Sequence, residues 1–211
     1  VCAIGHVDVV PPGDGWKQPP FAGYAEKGVL YGRGVLDNKG PVLACLYGLY
    51  ALKELGYEPK HRIRILFGCD EESGFEDLTY YLSKEQPPVY GFTPDCKFPV
   101  VYAERGRAVI RIEAKETPSF CDFITQYFIG ANHTGDRLGI DFSHPEYGIM
   151  EMRNYKLWMN GQSLSFEAAL SYPAGHTIDE IMEKIREKAG EHRVTLLQNY
   201  DPAVFDKESP M

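Results

Sequence analysis

The chain has 211 residues, enough to bury a core as one large domain or two small ones. It is 44% hydrophobic and 25% charged, and its 21 glycines and 15 prolines point to many turns rather than to disorder. A formal net charge of −8, with no Lys/Arg-rich run, argues against nucleic acid as a partner, because phosphate is repelled at long range. No run of about 18 apolar residues is present, so no membrane-crossing helix is expected, and no leader peptide is visible. The five cysteines, Cys2, Cys45, Cys69, Cys96 and Cys121, are dispersed and form no C-x-x-C pair. That pattern predicts reduced thiols and a cytoplasmic location. Cys2, Cys45 and Cys69 stand in apolar runs and read as small buried hydrophobes.

Taken in chain order, Val1–Ile4 predicts a short buried strand ending at Gly5. A natural domain rarely opens inside a strand, and the first residue is Val, so the chain is expected to be part of a longer one. A Pro/Gly loop follows from Pro11 to Pro20, then a short strand at Val29–Tyr31 before the Gly32-Arg33-Gly34 turn. Pro41 to Leu55 has helical periodicity, with Pro41 in the first turn, where its missing N–H costs little, and Gly56 as the stop. His61–Gly68 alternates and then turns wholly apolar, as a buried strand does. Phe75–Ser83 predicts a second helix and Val100–Tyr102 another strand. Strands alternating with helices predict an α/β fold with a mostly parallel sheet.

The texture changes near residue 107. Ala108–Ala114 alternates with period two, and Phe120–Phe128 looks helical. Tyr147–Met152, Tyr155–Met159 and Ser163–Ser171 predict strands. Ile178–Ala189 predicts an amphipathic helix starting near Thr177 or Asp179, and Arg193–Gln198 a last strand. A β–α–β–β–α–β order of this kind predicts a smaller α+β, ferredoxin-like domain. The expected division is 1–107, 108–200 and a closing segment at 201–211.

Four clusters carry chemistry, and each falls at the end of a predicted strand, where open α/β sheets bind ligands. In Gly5-His6-Val7-Asp8, a His two residues from an Asp on extended backbone puts both side chains on one face. Asp8 can then fix the tautomer and raise the basicity of a metal-binding His6. A strand-end His capped by its neighbour is the plainer reading. In Gly32-Arg33-Gly34-Val35-Leu36-Asp37-Asn38-Lys39-Gly40-Pro41, Asp37 is either a helix N-cap or a carboxylate shared by two cations. Cys69-Asp70-Glu71-Glu72-Ser73-Gly74 sets three acids after an apolar strand, which is costly unless cations compensate them. Adjacent side chains diverge, so one glutamate can ligate a metal while the other takes a proton from water. A solvated acidic turn is the alternative. Asp95 lies in Thr93-Pro94-Asp95-Cys96-Lys97-Phe98-Pro99-Val100, which also reads as a simple Pro-Asp turn.

The joint order of these motifs resembles the co-catalytic zinc dipeptidases of the aminoacylase and carboxypeptidase superfamily, the PepV-type branch above all, with carnosinase more distant. The likeness is dense over residues 1–107. It is thinner from 108 to 211, where Gln162–Pro173 and Asp201-Pro202 are similar to that family's lid domain and its exit. The resemblance implies a zinc-peptidase-like α/β domain with a ferredoxin-like lid, two zinc ions (with Co2+ or Mn2+ as substitutes), and a dipeptide or small peptide substrate. It implies a monomer or homodimer. His6 and Asp95 would share one ion, Asp37 would bridge both, and Glu72 would bind the second. Glu71 would be the general base, Asp8 would orient His6, and the Asp37–Asn38 peptide bond would be cis.

The chain departs from the family's pattern in three places. The resemblance implies a fifth ligand, a His near the family's C-terminal end, and the sequence stops at Met211. It implies a His-bearing lid segment after Lys115, where Glu116-Thr117-Pro118-Ser119-Phe120 stands instead; His144-Pro145-Glu146-Tyr147-Gly148 is a faint likeness in the wrong order. It implies an Arg before Tyr172-Pro173, where Ser171 stands. His61, His133, His176 and His192 lie in polar contexts that suit surface or cap roles. Two alternatives remain beside the dipeptidase. One is an N-acyl amino acid deacylase or carboxypeptidase of the same superfamily. The other is a non-catalytic or truncated relative acting through lid-mediated association.

Overall fold

The computed structural model describes residues 1–95, 100–161 and 163–209. The polypeptide divides into two compact units, residues 1–100 and 101–210. Residues 96–99 of the fourth motif, and Gln162, lie outside the described residues.

The first unit runs β1 (Cys2–His6), β2 (Tyr24–Glu26), β3 (Val29–Tyr31), α1 (Gly40–Glu54), β4 (Arg64–Gly68), α2 (Glu76–Lys84) and β5 (Gly91–Phe92). Its three-stranded sheet has the order β4-β1-β5, and both pairings are parallel. Ala3 lies beside Ile65 and His6 beside Gly68, so β1 and β4 end together at one sheet edge. Helix α1 comes close to β1 because Gly5 has no side chain. A Cβ there would fall 2.4 Å from Asn38 Oδ1 and 2.7 Å from Val42 Cβ. Val42 is fully buried in that contact, while Leu43, Leu46, Tyr47 and Tyr50 of α1 are exposed. Pro41 sits in the first turn of α1, and Gly56, at φ 72°, ends it in the left-handed region.

The second unit contains β6 (Ala103–Glu104), β7 (Gly106–Glu113), α3 (Thr117–Ile124), β8 (Ser143–His144), β9 (Gly148–Ile149), β10 (Glu151–Asn160), β11 (Ser163–Tyr172), α4 (Ile178–Ala189), β12 (Arg193–Tyr200) and β13 (Ala203–Val204). Its main sheet has the order β10-β11-β7-β12 and is antiparallel throughout. With α3 after β7 and α4 after β11, this is the predicted β–α–β–β–α–β arrangement. Ile110, Ile112, Phe166 and Leu170 of the sheet close on Phe120 and Phe123 of α3 and on Ile181 and Ile185 of α4. Helix α4 starts where the Thr177 hydroxyl accepts from the Glu180 N–H at 3.2 Å. On the strand positions between those core residues, Arg111 donates twice to Glu167 (3.0 and 2.7 Å) and lies 5.5 Å over Trp158.

Several expectations shift. Residues 100–102 are not a strand; the short strand is β6, next along the chain, and it pairs with β13. The β2 partner of β3 was not foreseen. Its loop, Lys27-Gly28, has φ 51° and 80°, the two positive values of a tight hairpin turn. The helical stretch at 120–128 ends its α-helix at Ile124 and continues as a wider turn over Thr125–Ile129. Of the cysteines read as buried, Cys2 is buried and Cys45 half-buried, but Cys69 is exposed, because it lies just past the end of β4.

Candidate metal centre

All six residues picked from the motifs converge at the carboxyl ends of β1 and β4. His6, the last residue of β1, is buried at 2% exposure. Its Nδ1 lies 3.1 Å from the Asp8 carbonyl oxygen and 3.3 Å from Asp8 Oδ1. Both partners are acceptors, so Nδ1 carries the proton and donates it to the carbonyl. Asp8 Oδ1 then has no hydrogen bond of its own among the described residues. The other oxygen of Asp8 accepts from the Glu72 backbone N–H at 3.0 Å, which ties the acidic turn to the His6 strand.

The far side of the ring faces carboxylates. His6 Nε2 lies 3.0 Å from Asp37 Oδ1, 3.4 Å from Asp95 Oδ2 and 4.0 Å from Glu71 Oε2. Ligand atoms of His6, Asp37 and Asp95 all fall within 4.8 Å of one another, and so do those of His6, Glu71 and Glu72. Among the described residues Nε2 faces only acceptors as well, so it needs a positive charge between itself and the carboxylates, either a proton on the ring or a bound cation. One buried imidazole nitrogen among several carboxylate oxygens is a donor set that fits a divalent cation.

The electrostatics follow the same geometry. Burial pulls the His6 pKa down, but the charges of Asp95 and Glu71, with the bonds to Asp8 and Asp37, carry it above its ordinary value. Burial raises Glu71 above the usual carboxylate value; His6 opposes this, while Glu72, Asp95 and Asp37 add to it. For Asp8 burial acts upward, yet backbone bonds from Glu72 and Glu71 hold it below the usual value.

Asn38 was not singled out by sequence, and it links three of the motifs. It is fully buried. Its Oδ1 accepts from the His6 backbone N–H at 3.2 Å, and its Nδ2 donates to the Pro94 carbonyl at 3.0 Å and to Asp95 Oδ1 at 2.9 Å. The Asp37–Asn38 peptide bond is cis, as the resemblance implied. The signal for Asn38 was its place beside Asp37, where an amide can donate and accept at once. Asp70, the first of the three acids, has a different task. Its carboxylate accepts from the Glu76 N–H at 2.8 Å at the start of α2. Asp77 accepts from the Cys69 N–H at 2.6 Å and fixes the other end of the turn.

Histidines other than His6 serve locally. His61 and His133 are exposed. His176 stacks on Phe142 at 3.8 Å and meets Glu180 at 3.1 Å. His192 packs edge-on against Phe120 at 5.2 Å, and its Nδ1 accepts from the Lys115 N–H at 3.2 Å, a capping role of the kind expected. His144 Nδ1 accepts from the backbone of Glu146 and Tyr147.

Across residues 2–210 the chain matches Peptidase family M20/M25/M40. It belongs to that family. The resemblance drawn from the four motifs therefore holds at family level. Among the relatives of this M20 peptidase is the beta-Ala-Xaa dipeptidase of Lactobacillus delbrueckii subsp. lactis, 39% identical over 126 residues, which is 59% of this chain and 27% of that enzyme. Human carnosine dipeptidase 1 shares the fold with a TM-score of 0.66 at 15% identity, covering 97% of this chain and 62% of the other. The di-peptidase Dug1p of Saccharomyces cerevisiae does so with a TM-score of 0.66 at 18% identity and the same coverage. The M20 chain thus spans about a quarter of the length of the bacterial relative it matches. No helix among its described residues is long and apolar enough to cross a membrane.

Proposed function

We propose that the protein hydrolyses dipeptides at a centre of two divalent cations, zinc in the first instance, built on His6, Asp37, Glu72 and Asp95. The observation that carries this reading is the convergence of Asp37, Asp95 and Glu71 on His6 Nε2 while Asp8 holds Nδ1. Family membership and the 39% identity to a beta-Ala-Xaa dipeptidase support dipeptides as the substrate class.

His6 and Asp95 would hold one ion and Glu72 the second. Asp37 would hold both; its Oδ1 faces His6, and its side chain is 60% exposed, which leaves room at the carboxylate for a second ion. Bound there, the ions would supply Lewis acidity toward the scissile carbonyl and make water easier to deprotonate. Asp8 keeps the His6 ring in one tautomer, and Asn38 keeps Asp95 turned toward His6. Glu71 takes the proton of the attacking water on its carboxylate and delivers it to the leaving amine. Its raised pKa, caused first by burial, suits a group that must both accept and release a proton.

The test uses the full-length gene product. Zinc content is measured after dialysis, and hydrolysis of β-alanyl and α-dipeptides is assayed beside N-acyl amino acids. Glu71→Gln is expected to retain zinc while kcat falls by about 10²–10⁴. An apoprotein that takes up no zinc, or a Glu71→Gln variant with unchanged kcat, overturns the reading. Preference for N-acyl amino acids would move the substrate assignment within the same chemistry.

A further inference from the structure

The loop at 11–20 joins the His6–Asp8 segment to the strands that lead into the Asp37 turn, and one residue grips it at both ends. Arg33 Nη2 donates to the Pro12 carbonyl at 3.1 Å, and the Arg33 backbone N–H donates to the Pro20 carbonyl at 2.7 Å. The Trp16 indole N–H donates to the same Pro12 carbonyl at 2.8 Å, and the guanidinium lies 5.6 Å over the Trp16 ring. Both acceptor positions of that carbonyl are thereby used. The flanking glycines let the turn press against the loop. A Cβ on Gly34, at φ 82°, would lie 2.5 Å from Val9 Cγ1, and one on Gly32 would lie 3.3 Å from the Pro20 oxygen. Arg33 Nε is buried without a hydrogen-bond partner among the described residues. An unpaired buried donor is a cost that an apolar side chain of similar length would avoid.

We propose that Arg33, acting through Pro12 and Trp16, is a positioning residue for the metal centre: it fixes the spacing between the His6–Asp8 segment and Asp37. Pro12 stands four residues after Asp8, and Arg33 four residues before Asp37. The turn that begins at Gly34, whose carbonyl accepts from the Lys39 N–H at 3.0 Å, carries Asp37 and Asn38. A shift of the loop therefore moves the orienting carboxylate and the proposed bridging carboxylate relative to each other. Trp16, in contact with the clamp, reports on it. This inference rests on the two-cation reading of the site, so the test measures zinc binding as well as the clamp.

The experiment is zinc affinity by competition with a chromogenic chelator, on the full-length gene product, unsubstituted and as His6→Ala, Arg33→Met, Arg33→Lys and Trp16→Phe. In parallel, tryptophan emission is followed in a Trp158→Phe background, which leaves Trp16 as the sole indole within residues 1–211. Arg33→Met is expected to bind zinc about 10-fold more weakly, the low end of the loss on removing a direct support of a metal ligand, because Arg33 reaches the ligands only through the backbone. Arg33→Lys, which restores the charge and one donor, is expected to recover part of the loss. Zinc is expected to shift Trp16 emission in Trp158→Phe and to leave it unmoved in Trp158→Phe/Arg33→Met. Should Arg33→Met fail to fold by circular dichroism, Arg33→Lys and Trp16→Phe carry the comparison, with a loss of about threefold expected for each. Zinc affinity that is unchanged in every folded variant, while His6→Ala abolishes binding, overturns the clamp and leaves the metal centre standing. Lack of zinc binding by the unsubstituted chain, or binding undiminished in His6→Ala, overturns the centre and the clamp with it.

Discussion

In the second unit, Phe120, Phe123, Ile110, Ile112, Phe166, Leu170, Ile181 and Ile185 close into one continuous apolar cluster. Among the described residues of the first unit, the buried apolar ones are Cys2, Ala3 and Val42, and with them go two buried polar ones, His6 and Asn38. The second unit is thus held mainly by area removed from water, at about 25 cal/mol per Å². The first relies on a polar network around His6 in which, among the described residues, acceptors outnumber donors, a balance that a cation would correct. The second unit should therefore be sensitive to core truncation and indifferent to metal, and the first should respond in the opposite way.

The largest expected effect comes from the core. Phe166 is 1% exposed and packs its ring 4.7 Å from Phe128 and 5.4 Å from Tyr155. Phe166→Ala is expected to destabilise the second unit by about 3–5 kcal/mol, read by denaturant unfolding, and to leave zinc affinity unchanged. A parallel drop in zinc affinity would show the two units to be one cooperative body. Next comes the metal itself. Free zinc at 100 times its dissociation constant should stabilise whatever binds it by about 2.7 kcal/mol. Hydrogen exchange should show that gain in residues 1–95 and none in the strands β7 and β11. Uniform protection, or none, would remove the contrast.

How much of this was legible beforehand depended on the range of the interaction. Helix α4 runs over Ile178–Ala189, the span the apolar periodicity had picked out, because its period and its Thr177 cap are both local signals. His6 and the acidic run were legible as candidates because they stand at or just past the end of an apolar strand, where charge is unexpected, whereas Asp37 and Asp95 sit in a turn and a loop and stood out only through the joint order of the motifs. Asp70 was less legible, since a helix-start acceptor and a metal ligand look alike until the neighbouring N–H groups are placed. Val100–Tyr102 misled because strand propensity is common, whereas the pairing that makes β6 a strand comes from Ala203–Val204, about a hundred residues away. Asn38 stayed hidden for a similar reason. Its partners, His6 and Asp95, are distant in sequence, and only the fold reveals that one amide serves both.

A smaller effect is expected from that amide. Asn38→Ala leaves the His6 N–H and the Pro94 carbonyl unpaired in a buried place and releases Asp95. A loss on the order of 2 kcal/mol is expected in the first unit alone, together with weaker zinc binding. Loss of stability with zinc affinity intact would assign Asn38 to the fold and not to the centre.

The smallest effect tests the second unit's independence at a single bond. Thr177 Oγ1 satisfies one of the otherwise free N–H groups at the start of α4. Thr177→Ala removes that bond without opening the core, because Ile181 and Ile185 remain buried one and two turns on. The expected loss is about 1 kcal/mol, far below that of Phe166→Ala. In a unit of this size it should lower the thermal midpoint by roughly 4–8 °C. Because the capping bond joins two residues of the second unit, hydrogen exchange in residues 1–95 should be unchanged with or without zinc. A midpoint unchanged by Thr177→Ala would mean that α4 is held by its apolar face alone, and the role of area over polar bonds in this unit would be greater still.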